Sequence, residues 1–232
     1  REQLNIALRH HAGAGHRKWI ALTLWAGADP YTTGLTEPDD DPDKDEKATA
    51  VAYAAVSGQP EAFDMMTRKR FDPDDPDLLD VFRFPCSKRC VETMERIAAR
   101  GLRFTGLLPE SSAVIQDNLE HLTNTGIESP YLVSNRPKAY MVAIRIMAEH
   151  GAKWMPTVTK IKEAKKALLK MPPAFVDYLA WVMATNTACE PAVLEELLRT
   201  PAIQDHIAKS RLRRGDLRKW CPKLRIDKDS GL

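Results

Sequence analysis

Along most of the chain, apolar residues recur every three or four positions, as in amphipathic helices, and alternation with a period of two is scarce. A first helix is predicted within residues 4–12. A second begins near residue 20 and ends before Gly27, because a left-handed glycine typically terminates a helix. Gly15 predicts a tight turn between the two. The apolar positions of the second helix are Ile20, Leu22 and Leu24. The pattern predicts an all-α protein built from helix–turn–helix units.

The same order of elements recurs after residue 48. Thr49 is a typical residue to open a helix, Gly58 predicts a turn, and a second apolar helix runs to Met66. Later units are marked by Gly101, Gly151 and a turn near Asn186. Successive units lie about 40 to 50 residues apart, which is longer than the spacing of roughly 33 residues in a regular ankyrin array.

The two N-terminal units resemble ankyrin repeats, whose consensus contains a Gly-His turn and a closing Gly-Ala-Asp. The first unit matches that consensus without a gap at Leu8, Ala12, Gly15, His16, Ile20, Leu22, Leu24, Gly27, Ala28 and Asp29. The second matches it at Thr49, Val51, Ala54, Ala55 and Gly58, but ends in RKRFDPDD where Gly-Ala-Asp is expected. The resemblance is specific over residues 4–66. It implies a helical-repeat solenoid of paired antiparallel helices, ankyrin-like with insertions, over residues 1–206; the alternative is an irregular helical bundle.

Two insertions interrupt the predicted repeats. Residues 33–47 are acidic and lack apolar periodicity, which predicts an exposed flexible loop, and residues 71–80 (FDPDDPDLLD) form the second insertion. The net charge is only +2, but residues 37–80 carry fourteen acidic and five basic residues, whereas residues 209–228 carry nine basic and two acidic. The asymmetry predicts two faces of opposite charge.

Metal binding has little support in the sequence. Asp41, Asp43 and Asp45 imitate the start of a calcium loop, but the required glycine and glutamate are replaced by Glu46 and Ala52. These aspartates are therefore interpreted as part of a solvated acidic loop.

The cysteines and histidines are also interpreted as structural. Cys86 and Cys90 could bind zinc with His121 or His150, but no second closely spaced ligand pair follows, so buried or reactive thiols are favoured. His10, His11 and His16 cluster near the first turn, and the ankyrin resemblance implies that His16 stabilises the turn by hydrogen bonding.

Known catalytic motifs are absent from the sequence, so there are no grounds for predicting an enzyme, a catalytic residue, a metal or a cofactor. No apolar run approaches the roughly 18 residues of a membrane-spanning helix, and the N-terminal residues do not form a signal segment. A cytoplasmic protein without membrane association is expected. The chain begins at Arg1 rather than Met, and it is compatible with a fragment of a longer protein.

The prediction is therefore a non-enzymatic interaction module, a scaffold or adaptor that binds another protein. In ankyrin repeats, contacts come from the tips after the second helices and from exposed helical positions. Transferred to this chain, these positions are Trp25, Pro30, Tyr31, Thr32, Lys153 and Trp154. Exposed tryptophan and tyrosine in such places are typical binding hot spots.

Two alternatives remain, a nucleic-acid-associated subunit and an enzyme with an unrecognised site. The first rests on residues 207–232, a basic C-terminal tail or capping segment in which cations surround one aromatic side chain that could stack on a base. The candidate nucleic-acid contacts are Arg211, Arg213, Arg214, Arg218, Lys219, Trp220, Lys223 and Arg225.

Overall fold

The structure is a computed structural model that describes residues 1–35, 47–83, 88–104, 108–124, 136–171, 173–186 and 188–208. Within these ranges the regular structure is helical, apart from two isolated bridges between single residues, so the all-α prediction is confirmed. The helices are α1 (Glu2–Ala14), α2 (Arg17–Trp25), α3 (Ala50–Val56), α4 (Pro60–Thr67), α5 (Leu79–Arg83), α6 (Lys88–Ala99), α7 (Leu108–Asn124), α8 (Arg136–Glu149), α9 (Val158–Lys170), α10 (Pro173–Thr185), α11 (Pro191–Leu198) and α12 (Pro201–Ala208).

The helix ends follow from local sequence. The Thr49 hydroxyl accepts a hydrogen bond from the Ala52 amide at 3.1 Å and opens α3, as predicted. Gly15 and Gly58, which join α1 to α2 and α3 to α4, have φ values of 72° and 66°. Gly27, after α2, has a φ of 94°. Side chains disfavour this left-handed region, which explains why glycine occupies these turns.

Helices that are two positions apart in the chain pack against each other. One row of contacts links α1, α3, α5, α7 and α9, and another links α2, α4, α6, α8, α10 and α12. Small side chains at the contact of α1 with α3, including Ala12, Ala54 and Ala55, are fully buried and allow the helices to approach closely. A continuous apolar core therefore runs from α1 to α12.

The loops that follow the second row of helices are joined by backbone hydrogen bonds. The Arg103 amide donates to the Pro73 carbonyl at 2.8 Å, and the Phe104 amide donates to the His150 carbonyl at 3.0 Å. The Trp154 amide in turn donates to the Ala188 carbonyl at 2.6 Å. Successive loops are thus joined to each other by hydrogen bonds, just as successive helices of the second row pack against each other.

The second predicted insertion, residues 71–80, is helical in its second half and partly buried. Residues Pro76–Leu78 form a 3₁₀-helix that continues into α5, and Leu78 and Leu79 are buried in the core. The Asp75 carboxylate caps this helix by accepting a hydrogen bond from the Asp77 amide at 3.0 Å. The two leucines near the end of FDPDDPDLLD therefore belong to the core. Their burial was hard to predict because acidic residues surround them in the sequence.

Asp75 makes stability depend on pH. Burial raises the pKa of its carboxyl to about 6, and the charges of Asp77 and Asp72 act in the same direction. The folded chain binds the proton more tightly than the unfolded chain, so stability is greater at low pH and falls as pH rises through about 6.

We expect Asp75→Asn to remove this dependence, because the amide oxygen can keep the cap while no charge is buried. At pH 7.5 the variant should be more stable than the unmodified chain by on the order of 1 kcal/mol, and at pH 4 the difference should shrink. Urea unfolding of both chains at pH 4 and pH 7.5 measures this difference in the free energy of unfolding. A variant that is less stable at pH 7.5 would show that the charge itself holds the cap.

Candidate protein-binding surface

Helix α2 has one buried side and one exposed apolar side. Ile20 and Thr23 are buried, and the Thr23 hydroxyl donates to the Trp19 carbonyl at 2.9 Å. On the other side, Trp19, Leu22 and Trp25 are 55%, 48% and 85% exposed. Their spacing of three residues places them along one side of the helix, and we call these three residues the α2 face.

The predicted role of Leu22 is corrected by this arrangement. The sequence pattern placed Leu22 among the core positions of the second helix, but its side chain is nearly half exposed. The reason is that α2 packs against α1 and α4, which cover only one side of the helix. Trp19, which the sequence reasoning missed, could have been found from the spacing of Trp19, Leu22 and Trp25.

Cations border the α2 face. Arg17 and Lys18 lie in the first turn of α2, are exposed, and form no ion pair within the described part of the chain. The positive end of the helix dipole adds to their charge. The surface therefore combines an apolar stripe with a positive edge.

A histidine cluster adjoins the same face. The His11 ring stacks on the Trp19 indole with 5.5 Å between ring centroids and 22° between planes. The Nδ1 atoms of His11 and His16 lie 3.3 Å apart. Partial burial lowers the pKa of His11, and the charges of His10 and His16 lower it further, so the neutral ring is favoured. The His16 side chain does contact the preceding helix at the turn, through His11.

The first loop tip is only partly available to a partner. Pro30, Tyr31 and Thr32 are half-buried. The Tyr31 hydroxyl donates to the Arg70 carbonyl, and the Arg70 guanidinium lies 4.7 Å from the centre of the tyrosine ring. Burial is the main cause that raises the pKa of Tyr31. Tyr31 therefore joins this tip to the loop after α4, while Trp25 beside it is the exposed aromatic residue.

The second tip differs from the prediction. Trp154 was expected to be a contact residue, but its indole is 1% exposed and its Nε1 donates to the Gln116 side-chain oxygen at 3.1 Å. The backbone bond from Trp154 to Ala188 holds this segment against the next loop and directs the indole inward. Lys153 is half-buried, and its ammonium donates to the Asn186 carbonyl at 3.3 Å. Trp154 is therefore a core residue.

The other candidate ligands are dispersed where they are described. Cys90 is buried and its thiol lies 3.9 Å from the Val56 carbonyl. His121 stacks on Tyr140, and His150 Nδ1 lies 2.9 Å from the Leu102 carbonyl. Over the ranges that the structure describes, no group of three or more His, Cys, Asp or Glu side chains is arranged to hold a metal ion.

Several predicted residues lie outside the described ranges. They are the aspartates Asp41, Asp43 and Asp45, Cys86, and the basic tail from residue 209 onward, with Arg211, Arg213, Arg214, Arg218, Lys219, Trp220, Lys223 and Arg225. Among the helices that are described, none is long and apolar enough to cross a bilayer.

Comparison of the chain with known protein families, curated proteins and solved structures finds no match. The function is therefore inferred from the surface itself. Within the described ranges, seven large apolar side chains are exposed, and three of them form the α2 face; the others are Met155, Val158, Leu169 and Trp181. Contiguous exposed apolar side chains with a polar rim are typical of interaction surfaces.

Proposed function

We propose that this chain is a non-enzymatic module that binds another protein through the α2 face. The observation that carries the proposal is the exposure of two tryptophans and a leucine along one side of a nine-residue helix. Keeping such side chains in water is unfavourable, and covering each of them would contribute on the order of 1 kcal/mol. Tryptophan is also among the residues that most often dominate binding energy.

The scaffold for this surface is, in our proposal, an ankyrin-like solenoid of paired antiparallel helices with insertions. Two observations support it. Equivalent helices of the first two units stack on each other, α1 on α3 and α2 on α4, and each unit turns at a left-handed glycine. Left-handed glycines also follow α6 and α8, at Gly101 and Gly151.

The partner that fits is an amphipathic helix with acidic residues beside its apolar stripe. The apolar stripe would cover Trp19, Leu22 and Trp25, and the acidic residues would face Arg17 and Lys18. Helix-in-groove and helix-on-helix recognition use such i, i+3 anchors, while the charges favour the correct orientation and accelerate association.

We expect the double variant Trp19→Ala, Trp25→Ala to lose partner binding without losing its fold. Each exposed anchor contributes about 2 kcal/mol of affinity, or about 30-fold in the dissociation constant. Helical peptide libraries, one rich in Glu and one rich in Lys on the polar side, would be selected against the unmodified chain. The Glu-rich library should yield binders that the double variant no longer retains.

The matched control is Trp181→Ala, which removes a partly exposed tryptophan from α10 and should retain the same peptides. Proteins captured from cells are then compared among the three chains by mass spectrometry. Equal retention by the double variant, with its helical circular dichroism unchanged, would contradict the proposal. The comparison therefore distinguishes specific binding at the α2 face from non-specific binding by exposed tryptophans elsewhere on the chain.

A second candidate is nucleic-acid contact by the basic tail, which the excess of cations over residues 209–228 favours. Such binding would fall steeply with added salt, because phosphate contacts release counterions. It would also persist in the Trp19, Trp25 double variant. These two properties distinguish it from binding at the α2 face.

A further inference from the structure

The solvent-exposed side of α9 carries a row of lysines. Lys162, Lys166 and Lys170 are exposed and follow one another at intervals of four residues, so successive members lie about 6 Å apart along one side of the helix. On the opposite side, Ile161 and Leu168 are buried in the core. Because this buried side fixes the helix, the row of lysines faces solvent in one direction, and we call these three residues the α9 row.

The carboxylates beside α9 are engaged by other lysines of the same helix. Lys162 and Lys166, by contrast, form no ion pair within the ranges that the structure describes. Their positive charge is therefore available to an external anion. The engaged pairs are Lys160 with Glu120 and with Glu163, and Lys165 with Glu196.

The basic C-terminal tail begins beside the same helix. Helix α12 packs against α9, and His206 Nε2 in α12 lies 2.8 Å from the carbonyl oxygen of Met171, the residue that follows the last turn of α9. Residues 209–228, nine of them basic and two acidic, follow α12 directly in the chain. The tail therefore starts near the end of α9 that carries Lys170.

A regular polyanion fits this surface better than a lipid bilayer does. Val158 and Leu169 are exposed apolar side chains of α9, but they lie near opposite ends of the helix and form no continuous apolar stripe. A helix that lies in a membrane surface buries such a stripe, whereas the apolar side of α9 is already used in the protein core. Nucleic acid instead repeats a charged phosphate at regular intervals, and lysine binds phosphate as a point charge.

We propose that the α9 row binds the phosphate backbone of nucleic acid, as the folded part of a basic surface that the C-terminal tail extends. Contacts of this kind position a nucleic acid without reading its bases, so no sequence preference is expected from α9. The inference shares its class of ligand with the second candidate function, but it assigns phosphate contacts to a rigid helix. It does not rest on protein binding at the α2 face.

The test is fluorescence anisotropy with the full chain and two labelled probes of mixed sequence, a single-stranded RNA of about 20 nucleotides and a DNA duplex of about 20 base pairs. We expect the double variant Lys162→Gln, Lys166→Gln to bind at least about fivefold more weakly at low salt. The slope of log K against log salt should also become shallower by about 1.4–1.8, because each phosphate contact contributes about 0.7–0.9.

The matched control is the double variant Arg17→Gln, Lys18→Gln, which removes the same charge from an exposed site on α2. Its salt slope should change by less than about 0.5. Circular dichroism checks that both variants keep the helical fold, which is expected because all four side chains are exposed. The comparison separates contact at α9 from a general effect of net charge.

Three results would overturn the proposal. Equal effects of the two double variants would show that only net charge matters. Unchanged binding by the α9 variant, with binding lost in Arg213→Gln, Arg214→Gln, Arg218→Gln, would assign the contact to the tail alone. Absence of binding to both probes would exclude nucleic acid; vesicles of phosphatidylserine and phosphatidylcholine then show whether a lipid surface is bound instead. None of these results affects the proposal for the α2 face, which the tryptophan variants test separately.

Discussion

Replacing Trp154 with alanine is expected to lower the free energy of unfolding by about 3–5 kcal/mol. The indole is 1% exposed and contributes to the apolar interior between α7, α9 and α10, together with Leu119 and Leu168. Its removal leaves a cavity that rigid neighbouring helices fill only in part. It also leaves the buried Gln116 oxygen without the donor it has in the native chain. Urea unfolding monitored by circular dichroism measures the loss.

The matched control is Trp25→Ala, which removes the same side chain from a position that is 85% exposed. The free energy of unfolding should change by less than about 0.5 kcal/mol, because few protein contacts are lost. Trp154→Phe separates packing from hydrogen bonding, since it keeps an aromatic ring but removes the donor. A change below about 1 kcal/mol in Trp154→Ala would contradict the burial of this residue.

Replacing Arg9 with methionine is expected to lower the free energy of unfolding by about 2–4 kcal/mol. The Arg9 guanidinium is buried and donates to the Thr32 carbonyl at 3.0 Å, to the Leu35 carbonyl, and to the Glu2 carboxylate at 2.9 Å. Methionine fills a similar volume but cannot satisfy the two carbonyls. Because Glu2 is largely exposed, its ion pair with Arg9 contributes little to stability. Most of the lost stability comes from the Thr32 and Leu35 carbonyls, which lose their donor.

Arg17→Met provides the comparison for this variant. It removes the same charge from an exposed site on α2, so its free energy of unfolding should stay close to that of the unmodified chain. Arg9→Lys should recover only part of the stability, since an ammonium cannot reproduce the planar fork of a guanidinium. Equal stability of the Arg9 and Arg17 variants would show that the loop after Tyr31 is held by other contacts.

The candidate surface could be predicted from the sequence only in part. Trp25 was correctly placed at an exposed position, whereas Trp154 was assigned to the surface by the same reasoning. Both tryptophans lie near a left-handed glycine, but on opposite sides of it: Trp25 ends α2 two residues before Gly27, and Trp154 follows Gly151 by three residues. The difference is that Trp154 meets residues from α7 and α9, while no described helix covers the outer side of α2.

What the sequence by itself determined is the local structure: the helical period, the cap at Thr49, and the turns at Gly15, Gly27 and Gly58. These features depend on backbone conformation and on partners within a few residues, so they can be predicted from neighbours in the chain.

Only the tertiary structure decided which apolar and charged side chains are buried. Leu78 enters the core from within an acidic segment. Arg9 is buried against a loop whose carbonyls, 23 and 26 residues along the chain, accept its hydrogen bonds. Leu22 stays in water, although its spacing suits a core position, because the described helices that pack against α2 cover one side of it only. Burial depends on which distant elements pack together, and the apolar period of a single helix does not specify that.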